Sequence, residues 1–496
     1  MNNPLGFLFS REETDTHVNN REILYYASGL AGQNISYGFI SGRLTYYYEN
    51  HAMSQQNASK VGKLMTATYL WDAINDMIVG AWVDKRPHKP FQKMRPYLLY
   101  LPPVIGVLGA FMFMRMGSSD PFKLVYLGVL YFMWDLLYSF QDVGLWGLLA
   151  LSSPHSHERS RIAQWVTIGA GAGSTVSSAF PFLWDLLKKS MPEHAIFTLF
   201  AFVFGLGGEL LSVRAAKFRE RVDSPVQQEE KLWESLAIIR HNPTLIFISL
   251  ARFSQGLSPQ INGTYFFQSE YRNSDVGFLK GGTAEMLYGI ISGTPGAVAM
   301  PFANKSIDKL GGMKRLLVVS QVTAIVMRLA AFGVGNIPAL KYSTLPGFIV
   351  MSLLCAVYNV PGALMDIAHR SLTSDSIDEV ELKTGVRTEG VSFSMQNFTT
   401  KLTSGVRTFI QNYFLFHFLR YKAYDDENYI DMQGEKFYRW QFKLFMLGPI
   451  VGAVLYLFFI SFVKDNKEHR AEVERLLRER RAERGAEAVS SAAEIN

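Results

Sequence analysis

The chain has 496 residues, 48% of them hydrophobic, with a mean hydropathy of only +0.07. That length exceeds one compact domain, and the average composition alone assigns no class. The net charge of +6 is small and confined to a few loops, which argues against nucleic acid as a partner, and the lone Cys355 excludes an internal disulfide or a cysteine-rich metal site.

The distribution of apolar residues is more telling. Residues 1–21 read as a polar cytoplasmic lead, without the charged n-region and cleavage site of a removable signal peptide. Long apolar runs then recur at 99–116, 124–134, 197–213, 316–335, 344–365 and 442–463, several near the ~20 residues that cross hydrocarbon. About twelve spans fit, allowing for tilt. The first six start near 22–48, 58–83, 96–117, 122–150, 159–188 and 193–217. A polar link at 218–243 includes EEKLWESLAIIRHNP, which reads as an amphipathic helix on the membrane surface. The second set lies near 244–271, 280–304, 313–336, 342–369, 386–418 and 438–464, and a charged tail occupies 466–496. The expected organisation is thus a six-helix half at 22–217, the link, a second six-helix half at 244–465, and the tail. Basic residues crowd 85–95, 214–221, 305–315 and the tail, whereas 49–56 has no lysine or arginine. The positive-inside rule therefore puts both termini in the cytoplasm.

An internal repeat supports two related halves. Gly80-x-x-x-Asp84-Lys85 in the first half matches Asn304-x-x-x-Asp308-Lys309 in the second, each where a helix enters a basic loop. Paired six-helix halves are a transporter arrangement with the solute at the midplane. At equal offsets, Asp76 and Asp72 align with Met300 and Gly296, so the scaffold itself does not require the two carboxylates.

Those carboxylates are the main chemical signal. Asp72 and Asp76 lie four apart in WDAINDMIVGAWVDK and share one helix face. Ionisable groups inside a bilayer are costly unless paired or wetted, so a basic side chain, a metal cation or a proton must visit them. The fourth span adds Asp135, Ser139, Gln141 and Asp142, with Asp135, Ser139 and Asp142 on one face. Oxygen ligands alone suit a hard cation, and carboxylates suffice for a proton. The competing reading is a charge network with Lys401, Arg43 or Arg370 and no bound ion.

Several stretches carry a resemblance: WDAIND at 71–76, Gly80, the loop ending Arg95-Pro96-Tyr97, YSFQDVGLW at 138–146, and RTEGVSFSMQNFTTK at 387–401. These resemble the glycoside–pentoside–hexuronide:cation symporters, typified by melibiose permease, within the major facilitator superfamily, over most of 22–465. The resemblance implies an all-α membrane protein with the major facilitator fold and no enzymatic activity. It also implies that Asp72, Asp76 and Ser139 bind the coupling sodium or proton. Asp142 and Trp146 would hold the sugar, and Lys401 would link the cation and sugar sites. Where the melibiose type carries a sugar-binding aspartate in its first helix, Asn34 stands here. Thr167 replaces a fifth-helix arginine, Asp366 a tenth-helix aromatic, and Asp135 is an additional acid.

A sugar site needs hydroxyl partners and an aromatic face. Asn34, Asp135, Asp142, Gln396 and Asn397 are candidates for the first, and Trp146, Tyr138 or Trp165 for the second. Asp84, Arg95, Asp308 and Arg315 are expected to form cytoplasmic gate contacts. GAGAGS at 169–174 imitates a phosphate loop but lacks the following Lys-Ser/Thr, so close helix packing explains it better. His369 reads as a capping or loop contact, and Asp185 and Glu209 as solvated groups near span ends. The expected function is sodium- or proton-coupled symport of a sugar or glycoside by a monomer in the cytoplasmic membrane, without a cofactor. The alternatives are a major facilitator transporter for an organic acid or amphiphile, and a membrane sensor that moves nothing.

Overall fold

The computed structural model describes residues 18–117, 119–153, 156–222, 242–271, 278–384, 389–422 and 433–465, with isolated positions beyond. The lead before residue 18, the amphipathic segment of the link and most of the tail lie outside the described residues. Among the described residues every regular element is helical. The helical stretches Arg95–Met112, Asp120–Ala150, Glu193–Lys217, Met313–Gly335, Leu345–Lys383 and Glu435–Ser461 are long and apolar enough to cross a membrane. The chain packs as two units. The first takes Met1–Gln228, Gly263–Met286 and Asn412–Tyr438; the second takes Glu229–Asn262, Leu287–Gln411 and Arg439–Asn496.

In the first unit, α1 (Asn20–Tyr47) starts at Asn19, whose side chain accepts from the Arg21 N–H. It ends in a π-helical turn, Tyr48–Ala52. There follow α2 (Ala58–Lys85), α3 (Arg95–Met112), α4 (Asp120–Ala150), α5 (Ser156–Ser178) and α6 (Phe180–Leu187). The expected single span at 159–188 breaks at Ala179, because Pro181 at the start of α6 lacks an N–H and opens a new helix. Helix α7 (Glu193–Phe200) passes through π-helical Ala201–Leu206 into α8 (Gly207–Ser212) and a 3₁₀ turn, Val213–Lys217.

Three glycine contacts decide how α1 packs. A Cβ on Gly169 would lie 2.2 Å from the Ala27 carbonyl oxygen, and one on Gly173 would lie 2.1 Å from that of Ala31. The small residues of 169–174 therefore let α5 touch the backbone of α1, as the packing reading expects. On the other flank, a Cβ on Gly32 would lie 2.4 Å from the Gly208 carbonyl oxygen. Tyr26, Leu30, Val79, Val83, Leu98, Leu145, Leu148, Ile162 and Val166 fill the core between these helices.

The first unit also contains α10 (Gly263–Glu270) and the start of α11 (Gly281–Ala299). Arg43 Nη1 on α1 donates to Glu285 Oε1 at 2.9 Å and to Thr264 Oγ1 at 3.0 Å. Arg43 is thus committed to Glu285. Glu49 is buried and accepts from the Tyr265 hydroxyl and, at 3.1 Å, from Asn412 Nδ2.

In the second unit, α9 (Pro243–Gly256) stops before Pro259, so the expected span 244–271 is two helices. Helix α12 (Ala303–Leu310) ends on Gly311 at φ +84°, where the Gly311 and Gly312 N–H groups bond back to Asp308 and Ile307. That left-handed cap explains the Gly-Gly after the repeated Asp-Lys. Next come α13 (Met313–Gly335), α14 (Leu345–Ala363), α15 (Met365–Thr384), α16 (Glu389–Asn412), α17 (Glu435–Met446) and α18 (Gly448–Ser461). The tenth span, expected to end near 369, runs on as the polar end of α15, where Lys383 pairs with Glu379 at 2.6 Å. Ile248, Ala251, Leu316, Leu317, Ala368, Tyr456 and Ile460 form this unit's core. Valines 298, 322, 326, 357 and 454 stay exposed, as suits a surface facing lipid.

Candidate functional site

Within the first unit the second and fourth spans meet. Ser139 Oγ on α4 donates to Asp76 Oδ1 on α2 at 2.8 Å and accepts from Asn75 Nδ2 at 3.0 Å. Asn75 and Ser139 are buried, while Asp72 and Asp76 are half-buried. Helical spacing accounts for the geometry: Asp72 and Asp76 share a face, and Asn75 turns its amide toward α4 beside them. Asp135 is buried one turn before Ser139. Tyr37, Tyr69 and Tyr131 lie within electrostatic reach of Asp72 and Asp135. Among the described residues no group of three or more His, Cys, Asp or Glu side chains is gathered tightly enough to hold a metal ion.

One turn further along α4, Asp142 Oδ1 accepts from Gln33 Nε2 at 3.0 Å, and Gln33 also donates to the Tyr138 hydroxyl at 3.1 Å. Gln33, not its neighbour Asn34, meets Asp142. Asn34 donates instead to the Leu30 carbonyl at 2.9 Å and accepts from Ser174 Oγ at 3.4 Å, so it is turned toward α5. Tyr37 stacks on Tyr138 with ring centroids 4.9 Å apart, and Trp134 stacks on Tyr138 at 5.2 Å. This aromatic wall lies beside Asp142. Trp146, one turn beyond, is 47% exposed, and Trp165 and Thr167 on α5 are exposed as well.

In the second unit, Gln396 Nε2 donates to Ser249 Oγ at 3.2 Å. Its Oε1 lies 3.5 Å from Arg252 Nη1, and Arg252 Nη2 pairs with Asp366 Oδ1 at 3.1 Å. Asp366, standing where the resemblance places an aromatic, is thus one end of an ion pair. Lys401 on α16 is half-buried.

Of the expected gate residues, Arg95 is buried. Its Nε donates to the Ala216 carbonyl at 3.0 Å, and the backbone N–H groups of Lys93, Met94 and Arg95 donate to Glu220. Asp308 and Arg315 are exposed near the Gly311–Gly312 cap. Asp84 lies on the last turn of α2.

Three sequence readings require correction. Glu209 is not solvated at a span end; it is wholly buried. Asp185 accepts from Lys188 Nζ at 2.6 Å and from the Thr283 N–H at 2.9 Å. His369 is buried, with Nε2 2.6 Å from the Tyr456 hydroxyl, so it joins α15 to α18 rather than capping a loop. Gln33, Tyr37 and Asn75 were missed. Each adjoins a singled-out residue or shares its helix face, but polarity alone does not reveal which neighbour points inward.

Residues 25–467 match the family described as MFS/sugar transport protein. The chain is 26% identical over 406 residues to "Uncharacterized symporter YjmB" of Bacillus subtilis, covering 80% of this chain and 83% of that one. It is 24% identical over 387 residues to the isoprimeverose transporter of Lactiplantibacillus pentosus, covering 75% of each. Its fold is similar to the crystal structure of nucleoside transporter NupG, with a TM-score of 0.56 and 15% identity, over 90% of this chain and all of that one.

Proposed function

The chain belongs to the family of MFS/sugar transport proteins, and on that premise we propose that it is a cation-coupled symporter of a sugar or glycoside. It is a multi-pass membrane protein with the major facilitator fold, not an enzyme. The observation that carries the coupling reading is the Asn75–Ser139–Asp76 constellation, in which hydrogen bonds through the Ser139 hydroxyl join α2 to α4 beside the Asp76 carboxylate. Two relatives bear the names of a symporter and of a sugar transporter, in keeping with it. A sodium ion or proton at Asp76, with Asp72 beside it, neutralises charge that would oppose the conformational change. Coupling follows when the ion favours the solute-binding state, and the effect is reciprocal. Asp142 and the Tyr37–Tyr138 wall are proposed to hold the sugar. Asn34, Asp135, Trp146, Gln396 and Lys401 are further candidates, and Asp84, Arg95, Asp308 and Arg315 are proposed gate residues. The proposed location is the cytoplasmic membrane, with both termini in the cytoplasm.

Uptake of a radiolabelled glycoside panel into vesicles, with an imposed sodium or proton gradient, tests this reading. Accumulation that follows one gradient and is lost in Asp76→Asn identifies a symporter and its ion. Equal uptake without any gradient rejects coupling. A second reading is transport of an anionic glycoside or organic acid, whose carboxylate would take the place of Asp366 on the Arg252 guanidinium beside Gln396. Preferential uptake of acidic members of the panel, lost in Arg252→Gln, would select it.

A further inference from the structure

The first unit holds a carboxyl that this coupling scheme leaves unused. Glu209 is 0% exposed and lies in a helical stretch whose composition suits a bilayer interior. Its helix, α8, is pressed against α1 at Gly32 and Gly208. From α3, Gly106 leaves room for it: a Cβ there would sit 3.1 Å from the Glu209 Cβ. Gln141 Nε2 on α4 donates to Glu209 Oε2 at 2.7 Å and to Ser212 Oγ at 2.9 Å. Ser36 of α1 flanks the carboxyl on the other side. Glu209 Oε1, Gln141 Oε1 and Ser36 Oγ are all buried without a well-formed hydrogen bond.

Every contacting group is neutral. Among the described residues no lysine, arginine or histidine pairs with Glu209. Arg214 and Lys217, next along the chain, lie over the Tyr25 ring. Arg95 of α3 is directed to Ala216. The titratable group facing it from α4 is Tyr138, with Asp142 beyond; from α1, Tyr26 is directed to the Leu145 carbonyl. A carboxylate here would be an uncompensated buried charge, several kcal/mol less favourable than its neutral form. A carboxylic acid avoids that buried charge, and its O–H has Ser36 Oγ as an acceptor while Gln141 Nε2 still donates to Oε2.

We propose that Glu209 is a proton-binding site, occupied in this conformation, with the carboxylic acid donating from Oε1 to Ser36 Oγ. The proton comes from water and returns to water when α8 parts from α1; only the O–H bond is made or broken. This site is separate from the Asp72–Asp76 face and independent of the solute's identity. Because Gln141 and Asp142 are consecutive on α4, the Gln141–Glu209 bond also holds the rotation of α4 that directs Asp142 toward Gln33.

Infrared spectroscopy of the purified full-length protein in lipid tests the proposal. At neutral pH the protonated-carboxyl C=O absorption of wild type, to which Glu49 also contributes, is expected to lose one component in Glu209→Gln. The wild-type melting temperature should fall on moving from mildly acidic to alkaline buffer by more than that of Glu209→Gln, since an acid held neutral only in the folded state loses stability as pH rises. An unchanged band envelope in Glu209→Gln overturns the proposal. Should that variant not fold, Ser36→Ala decides: a displaced band supports the assignment, and an unmoved one overturns it.

Discussion

Ser139 Oγ lies 2.8 Å from Asp76 Oδ1 and 3.0 Å from Asn75 Nδ2, so one hydroxyl ties two consecutive residues of α2 to α4. A group that both donates and accepts here orients the carboxylate and gives the buried Asn75 Nδ2 an acceptor. Ser139→Ala removes both bonds. The net cost of one such bond is about 1 kcal/mol, more when the partner is charged. The concentration of coupling ion at half-maximal uptake is expected to rise roughly fivefold to tenfold. Ser139→Thr, which keeps the hydroxyl, should remain near wild type. Uptake titrated against sodium and against pH checks both.

The close contact of α5 with α1 gives a packing prediction. A Cβ on Gly173 meets the Ala31 carbonyl oxygen at 2.1 Å, whereas one on Gly171 has nothing within 4 Å. Gly173→Ala should destabilise by about 2 kcal/mol or more through overpacking. Gly171→Ala should be neutral or stabilise by up to about 1 kcal/mol, as expected for a helical glycine. Thermal unfolding of the two variants in detergent separates these outcomes.

Arg43 and Glu285 form a 2.9 Å pair with side chains only 12% and 16% exposed, bridged by Thr264. Glu285→Gln leaves the guanidinium without its counter-charge and should cost roughly 1–3 kcal/mol, less than for a fully buried pair because some solvent reaches it. Adding Arg43→Gln should recover part of that loss. A double-mutant cycle of unfolding free energies showing no coupling would contradict the pair's role.

Glu49 lies beyond the last turn of α1, outside the spans, and burial pushes its carboxyl up to about 8 despite hydrogen bonds from Tyr265 and Asn412. Its folded-state value exceeds the ordinary one, so its contribution is fully present below the usual glutamate range and is lost as pH rises through about 8. Raising the pH should lower the melting temperature in wild type and do so less in Glu49→Gln. Identical curves would show that Glu49 titrates as an ordinary carboxyl.

Much of this was legible in the chain. The helical class, the four-residue spacing of Asp72 and Asp76 and the face shared by Asp135, Ser139 and Asp142 are consequences of helical periodicity and of the cost of charge in a bilayer. The glycines of 169–174 were readable as a packing stripe for a similar reason: small side chains permit what larger ones forbid. Local covalent geometry and solvent preference act on every residue regardless of its distant neighbours, so pattern suffices for these features.

Side-chain partners were another matter. That Gln33 rather than Asn34 reaches Asp142, and that Asp366 is bound by Arg252, depend on helix rotation. Contacts such as Gly32 on Gly208 and Gly173 on Ala31 set that rotation, and they join residues far apart in the chain. Glu209 shows the same limit most sharply. Near a span end it reads as solvated, yet three helices close over it and leave only neutral groups beside the carboxyl. The sequence by itself determined which residues are polar within an apolar helix. Only the tertiary structure decided which of them lose water, because desolvation depends on what packs around a group and not on its place in the chain.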